Sequence, residues 1–304
     1  WRERRRRERL REHFGHYVPP AVVDALTASG AQPAVSGERR VLTLLFSDLA
    51  GFTAASEQLP PEAVAGALNA YFTRMTESVH AQGGTLDKFI GDAVMAFWNA
   101  PVAAADHAQR ALACARAMQA EMAQLRRDWA GTPFAEVHMR IGLHTGEAAV
   151  GHLGSLGRFT YTAVGDAVNT AARLEGANKA FGTAILLSEA TRAVLPQGGQ
   201  TPPLVWLDGV VLAGRSGGLD VYTPCDDSQL AAVSIVLRDC LRLGDWPAAR
   251  AACADWERRA SSHAPVMAVQ ATRLLGRVEE LAAGGWRAEA TGSVGAYARA
   301  LDKS

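Results

Sequence analysis

Two aspartates, Asp48 and Asp92, stand at the ends of short apolar runs, VLTLLFSD from Val41 to Asp48 and KFIGDAVMAFW from Lys88 to Trp98. A carboxylate brought to a strand end has two ordinary uses. It caps a turn, or it joins a second carboxylate in holding a hard divalent cation, which takes oxygen ligands and keeps positions open for water and phosphate. Sequence spacing leaves both uses open, because it does not say whether the two strand ends meet. A third polar group lies downstream in YTAVGDAVNTAAR, where Asn169 and Arg173 are four residues apart and project from one helix face.

The elements that must position these residues are legible in outline. Val41 to Phe46 is an aliphatic run too short for an independent helix, so a buried central strand is expected there. Gly91 and Asp92 lie between apolar runs as the tip of a hairpin from Thr85 to Trp98. Between them, Pro60 and Pro61 open a helix with Val64, Leu68, Tyr71, Phe72 and Met75 at helical spacing, and Gly83 and Gly84 end it. Ala103 to Trp129 reads as a long alanine-rich helix. Glu136 to Leu143 alternates as a strand, and a turn is expected at Thr145 and Gly146 before a second strand, Glu147 to Gly151. Arg158 to Val164 is extended, Asp166 starts a helix, and three further strands are expected at Thr183 to Leu187, Leu204 to Leu212 and Leu219 to Tyr222. From Leu230 to Leu281 the chain reads as helices interrupted near Gly244 and again from Ser261 to Pro265. Strands and helices in this mixed order predict an α/β or α+β domain, with one mixed sheet flanked by helices, followed by a helical C-terminal appendage. The expected division is a charged helix and linker over 1–37, a mixed-sheet domain over 38–224 and the appendage over 225–304.

Composition excludes several function classes. Across 304 residues, 31 Lys and Arg balance 31 Asp and Glu, which argues against a global nucleic-acid footprint. The four cysteines, Cys114, Cys225, Cys240 and Cys253, form no CxxC pair and suit neither a zinc site nor a disulfide framework. No Walker-type GxxxxGK occurs, and GHLGSLG from Gly151 to Gly157 misses the dinucleotide-binding spacing. The chain has no uninterrupted apolar stretch of about 18 residues. Its first twelve residues are dominated by arginine, which suits either a solvated charged helix or a segment just inside a bilayer. Because the chain begins with Trp1 rather than Met, a piece of a longer protein is expected, and the arginine cluster, read as lying just inside a bilayer, leads to the expectation of an upstream membrane segment with this part at the cytoplasmic face.

Three segments together resemble the class III nucleotidyl cyclase family: FSDLAGFT with Asp48, KFIGDAVMAFW with Lys88 and Asp92, and YTAVGDAVNTAAR with Thr162, Asn169 and Arg173. The resemblance runs from about Glu38 to Tyr222 in family order. It implies a ferredoxin-like βαββαβ core, head-to-tail homodimers with shared active sites, and ATP as substrate. It also implies that Asp48 and Asp92 hold two Mg²⁺ or Mn²⁺ ions, and that Lys88 and Thr162 read the purine. Asn169 and Arg173 would orient ribose and stabilise charge on the α-phosphate, and Arg140 would contact phosphate from the metal side. Guanylate cyclases of the family place Glu and Cys where Lys88 and Thr162 stand, so the resemblance favours adenine. Threonine at 162 is similar to a subgroup that includes bicarbonate-responsive cyclases. One departure stands out: where the family commonly has a triphosphate-binding lysine, this chain has Ala213, with Arg215 two residues on. The expected activity is conversion of ATP to 3′,5′-cyclic AMP and pyrophosphate; the alternative is a nucleotide-binding regulatory module with weak or no turnover.

Overall fold

The computed structural model describes residues 37–155, 158–196, 198–199, 201–213, 217–260, 265–284 and 299–300. The arginine-rich start, Arg215 and the break expected from Ser261 therefore lie outside the described residues, apart from Pro265. Two compact units divide after Glu175.

The first unit is built on β1 (Glu38–Ala50), which pairs antiparallel on both sides. A strand covered on both faces needs apolar residues on both, and Leu42 and Leu44 on one face and Leu45 on the other are fully buried. After a short helix α1 (Phe52–Ser56), α2 (Pro61–Ala81) begins with proline in its first turn, where the missing N–H costs nothing. The hairpin β2 (Thr85–Ile90) and β3 (Ala93–Trp98) follows, then α3 (His107–Asp128), β4 (His138–Ser155) and β5 (Arg158–Val164). The strand order is β2-β3-β1-β4, with β5 on β4, and every pairing in this unit is antiparallel. That is the split βαββαβ arrangement, in which each crossover helix skips over a strand from the other half. Helix α4 (Asp166–Phe181) starts in this unit and ends in the second.

The turn expected at Thr145 and Gly146 is a correction: β4 runs straight through, with Leu42 opposite Gly146 and Thr43 opposite Thr145. The 13-residue length of β1 offers partners along the whole run, so the ladder continues where the local dipeptide suggested a reversal. Buried Thr145 bonds Thr43 through their hydroxyls at 2.8 Å, and Thr43 reaches His107 Nδ1 at 2.7 Å. Val137, just before β4, and Met139, Ile141 and Leu143 along it are buried on one face as the alternation predicts. On the other face, Gly142 lies under α4, where a Cβ would stand 2.3 Å from both the Ala171 carbonyl oxygen and the Glu175 nitrogen. The helix rests on bare backbone there.

In the second unit, β6 (Ile185–Ser188) leads through α5 (Glu189–Ala193) to β7 (Leu204–Val211) and β8 (Gly218–Pro224). Strand β8 pairs antiparallel with β6 and β7, and a parallel pairing of β7 with β9 (Arg299–Ala300) makes the architecture mixed. Three helices follow: α6 (Ser228–Leu243), α7 (Trp246–Ala260) and α8 (Pro265–Ala283). Asp227 caps α6 by accepting from Gln229 and Leu230 N–H, and Gly244 ends it at φ 70. Trp256 packs between α7 and α8, its indole N–H donating to the Met267 carbonyl at 3.0 Å. The helical appendage is thus present, and among the described residues no helix is long and apolar enough to cross a membrane.

Candidate active site

Asp48 lies two positions from the end of β1's ladder, directly opposite Arg140 on β4. Arg140 Nη2 is 3.1 Å from Asp48 Oδ2, and its Nε is 3.1 Å from Glu175 Oε1. Asp92 sits beyond Gly91 (φ 64) in the hairpin tip, as its placement between apolar runs predicts. Its Oδ2 accepts from the Leu49 N–H at 3.1 Å, which ties the tip to the end of β1. The two strand ends therefore meet.

Meeting has an electrostatic cost. Burial, and next the charge of Asp48, push the Asp92 carboxyl above its ordinary range. A divalent cation at the pair would relieve that repulsion. Among the described residues no cluster of three or more His, Cys, Asp or Glu is placed to hold a metal. Asp48 and Asp92 make a carboxylate pair, an arrangement that suits a magnesium-like ion keeping water and phosphate as its other ligands. The residues fit such an ion.

Glu175, to which sequence reading gave no site role, is a member of this cluster and pairs with Arg140. Residues two positions apart on a helix are about 200° apart around its axis, so when Glu175 faces Arg140 and Asp48, Arg173 points the other way. Burial, then the charge of Asp48, push Glu175 up to about 7 from 4.5, against the opposing pull of Arg140. The folded value lies above the unfolded one, so this group's stabilising contribution is whole below about pH 4.5 and is lost as pH rises through about 7. In protein freed of metal by a chelator, Glu175→Gln is expected to flatten that part of the melting-temperature profile. An unchanged slope would remove Glu175 as its source.

The other predicted residues gather elsewhere in the same unit. Lys88 Nζ donates to Thr162 Oγ1 at 3.1 Å, bringing β2 and β5 together across 74 positions of sequence. Beneath them is Asp87, 1% exposed, whose Oδ2 accepts from the Thr162 hydroxyl at 2.6 Å and from the Ala163 N–H at 3.3 Å. Asp87 was the second residue missed, although an acid inside the apolar LDKFI run was a signal. Asn169 is exposed and Arg173 half-buried on α4, while Ala167, Thr170, Ala171 and Leu174 form its buried side. The structure thus brings Asp48 together with Asp92 and Arg140, and Lys88 with Thr162. Ala213 is described in a turn after β7.

Comparison with known proteins fits this geometry. Residues 35–215 match the model of the adenylate and guanylate cyclase catalytic domain. Adenylate cyclase 1 of Rhizobium meliloti is 40% identical over 210 residues, a match taking in 69% of this chain and 31% of that protein. The chain accordingly spans less than half the length of the curated relatives it matches. The crystal structure of the adenylyl cyclase CyaB from P. aeruginosa is similar at 34% identity and a TM-score of 0.56, covering 62% of this chain and 96% of that one. A solved guanylyl cyclase is equally similar in sequence, 34% identical with a TM-score of 0.55, covering 62% and 92%. Identity to relatives therefore does not separate the two purines. With three motifs in order on the expected fold and a family match over residues 35–215, the chain belongs to the adenylate and guanylate cyclase catalytic domain family.

Proposed function

We propose that this chain is an adenylate cyclase, converting ATP to 3′,5′-cyclic AMP and pyrophosphate at sites shared between two copies of itself. The observation that carries the choice of adenine is the Lys88 to Thr162 contact at 3.1 Å, which sets an ammonium donor beside a hydroxyl at one recognition point. Adenine offers an acceptor at N1 and a donor at N6, and this pair matches both. In the reaction the ribose 3′-oxygen attacks the α-phosphorus, the bond from that phosphorus to the pyrophosphate oxygen breaks, and the 3′-proton is lost to solvent.

Asp48 and Asp92 would hold two Mg²⁺ or Mn²⁺ ions, whose chemistry when bound is to acidify the 3′-hydroxyl and neutralise the triphosphate. Arg140, Asp48 and Asp92 serve the triphosphate side from one protomer. Lys88, Thr162, Asn169 and Arg173 serve base, ribose and α-phosphate from the partner, the guanidinium offering a rigid, permanently charged fork. The opposite facing of Glu175 and Arg173 on α4 supports this split, since one helix cannot turn both faces to one site. The family match over residues 35–215 supports a catalytic domain at 38–224, with the helices after 225 as an appendage. Thr162 supports placing the chain in the threonine subgroup. The run of arginines in the first twelve residues supports a position beside an anionic cytoplasmic membrane surface in the whole protein.

The test is cyclic nucleotide production with Mn²⁺ and either ATP or GTP. Cyclic AMP from ATP, with little product from GTP, is the expected result, and a preference for GTP would reverse the assignment. Ala213, where the family commonly has lysine, favours a second reading as a nucleotide-binding module with weak turnover. Tight ATP binding without product would select it.

A further inference from the structure

Asp87 and Lys88 are consecutive in β2, yet both side chains converge on Thr162. An unbroken strand forbids this, because neighbouring residues point to opposite faces. The ladder between β2 and β3 explains it: Leu86 pairs with Ala96 and Lys88 with Met95, which leaves Asp87 as the extra residue of a β-bulge. Bulges re-aim side chains in this way and tend to accompany active sites. Here the bulge buries a carboxylate, costly in itself, under the hydroxyl that is placed to read the base.

The chemistry of that hydroxyl is then constrained. An ionised carboxylate only accepts, so at 2.6 Å from Asp87 Oδ2 the Thr162 proton is committed inward. Lys88 donates to the same oxygen at 3.1 Å, using one of its two lone pairs. What Thr162 can still present is a single acceptor. Lys88, whose Nζ also lies 3.3 Å from Asp87 Oδ1 without hydrogen-bond alignment, keeps a donor to present beside it. Burial raises the Asp87 carboxyl, while the Thr162 hydroxyl, the Lys88 ammonium and the Ala163 N–H all favour its ionised form.

We infer that Asp87 is a positioning residue for base recognition: it fixes the Thr162 proton so that the oxygen faces the nucleotide only as an acceptor for the adenine 6-amino group. Without this constraint a threonine hydroxyl rotates and can donate or accept, so it discriminates poorly. The inference rests on the adenylate cyclase reading for the identity of the base, and on the bulge and its hydrogen bonds for the role of Asp87.

The experiment compares ATP with purine riboside triphosphate, which lacks only the 6-amino group, in both kcat/KM and equilibrium binding. Wild type is expected to prefer ATP by roughly tenfold, the worth of one substrate hydrogen bond. In Asp87→Asn an amide that can also donate replaces the acceptor, and that preference should largely disappear. Thr162→Val should lose it too, and adding Asp87→Asn to Thr162→Val should change the ratio no further, because Asp87 acts through that hydroxyl. A ratio of two substrates on one preparation cancels any loss of folded protein, which a purely structural role would produce. Three outcomes overturn the inference: no preference for ATP in wild type, an unchanged ratio in Asp87→Asn, or a further fall on the Thr162→Val background. If ATP gives no cyclic product, the cyclase reading fails, and the binding ratio still decides the role of Asp87.

Discussion

Chains carrying Asp48→Ala and Arg173→Ala, each inactive alone, are expected to recover activity when mixed. Removing a charge-stabilising group from a phosphoryl-transfer site typically costs about 10² to 10³ in rate, so either homodimer should be nearly silent. If the two halves of each site come from different protomers, a mixed dimer carries both lesions in one site and none in the other. Equimolar mixing puts half the dimers in that state, for about a quarter of wild-type activity. The arrangement within one chain motivates the experiment. Asp48 is paired with Arg140, Arg140 with Glu175, and Arg173 lies on the side of α4 turned away from all three. A mixture that stays as silent as its parents would place all the site residues in one chain and overturn the shared-site proposal.

Gly142→Ala is expected to be the most damaging single-methyl change in the first unit. The added carbon would stand 2.3 Å from the Ala171 carbonyl oxygen and the Glu175 nitrogen, and 2.9 Å from the Leu174 carbonyl carbon. These are backbone atoms of α4, which cannot rotate aside as a side chain does, so the helix must lift from the sheet. Forced overpacking of this kind costs about 3 kcal/mol. The loss should appear as a lower denaturant midpoint with an unchanged slope. Activity should fall further than stability alone explains, because α4 carries Asn169, Arg173 and Glu175 together. Gly176→Ala on the same helix is the control. Nothing lies within 4 Å of its added carbon, so it should stabilise by about 0.5 kcal/mol through helix propensity. Equal effects at the two positions would show that close approach of α4 to β4 is not what Gly142 provides.

The sequence by itself determined the local pieces. The aliphatic run of β1, the Gly91-Asp92 tip and the four-residue spacing of Asn169 and Arg173 are set by neighbours in the chain, where periodicity and turn chemistry act directly. Its three motifs were enough to name a family and to propose a metal pair and a purine pair. Tertiary structure decided what those residues touch. Thr145 and Gly146 were legible as a turn, yet β1 holds them in the middle of a strand, because long-range pairing outweighs a dipeptide's preference. Asp87 and Glu175 acquire their places only when β5 and α4 arrive, Asp87 through a hydrogen bond spanning 75 positions. Contacts of that reach depend on strand order and on a bulge, neither of which leaves a periodic trace. The sequence thus supplied the groups that can meet a substrate, and the fold supplied the buried charges that fix how two of them face it.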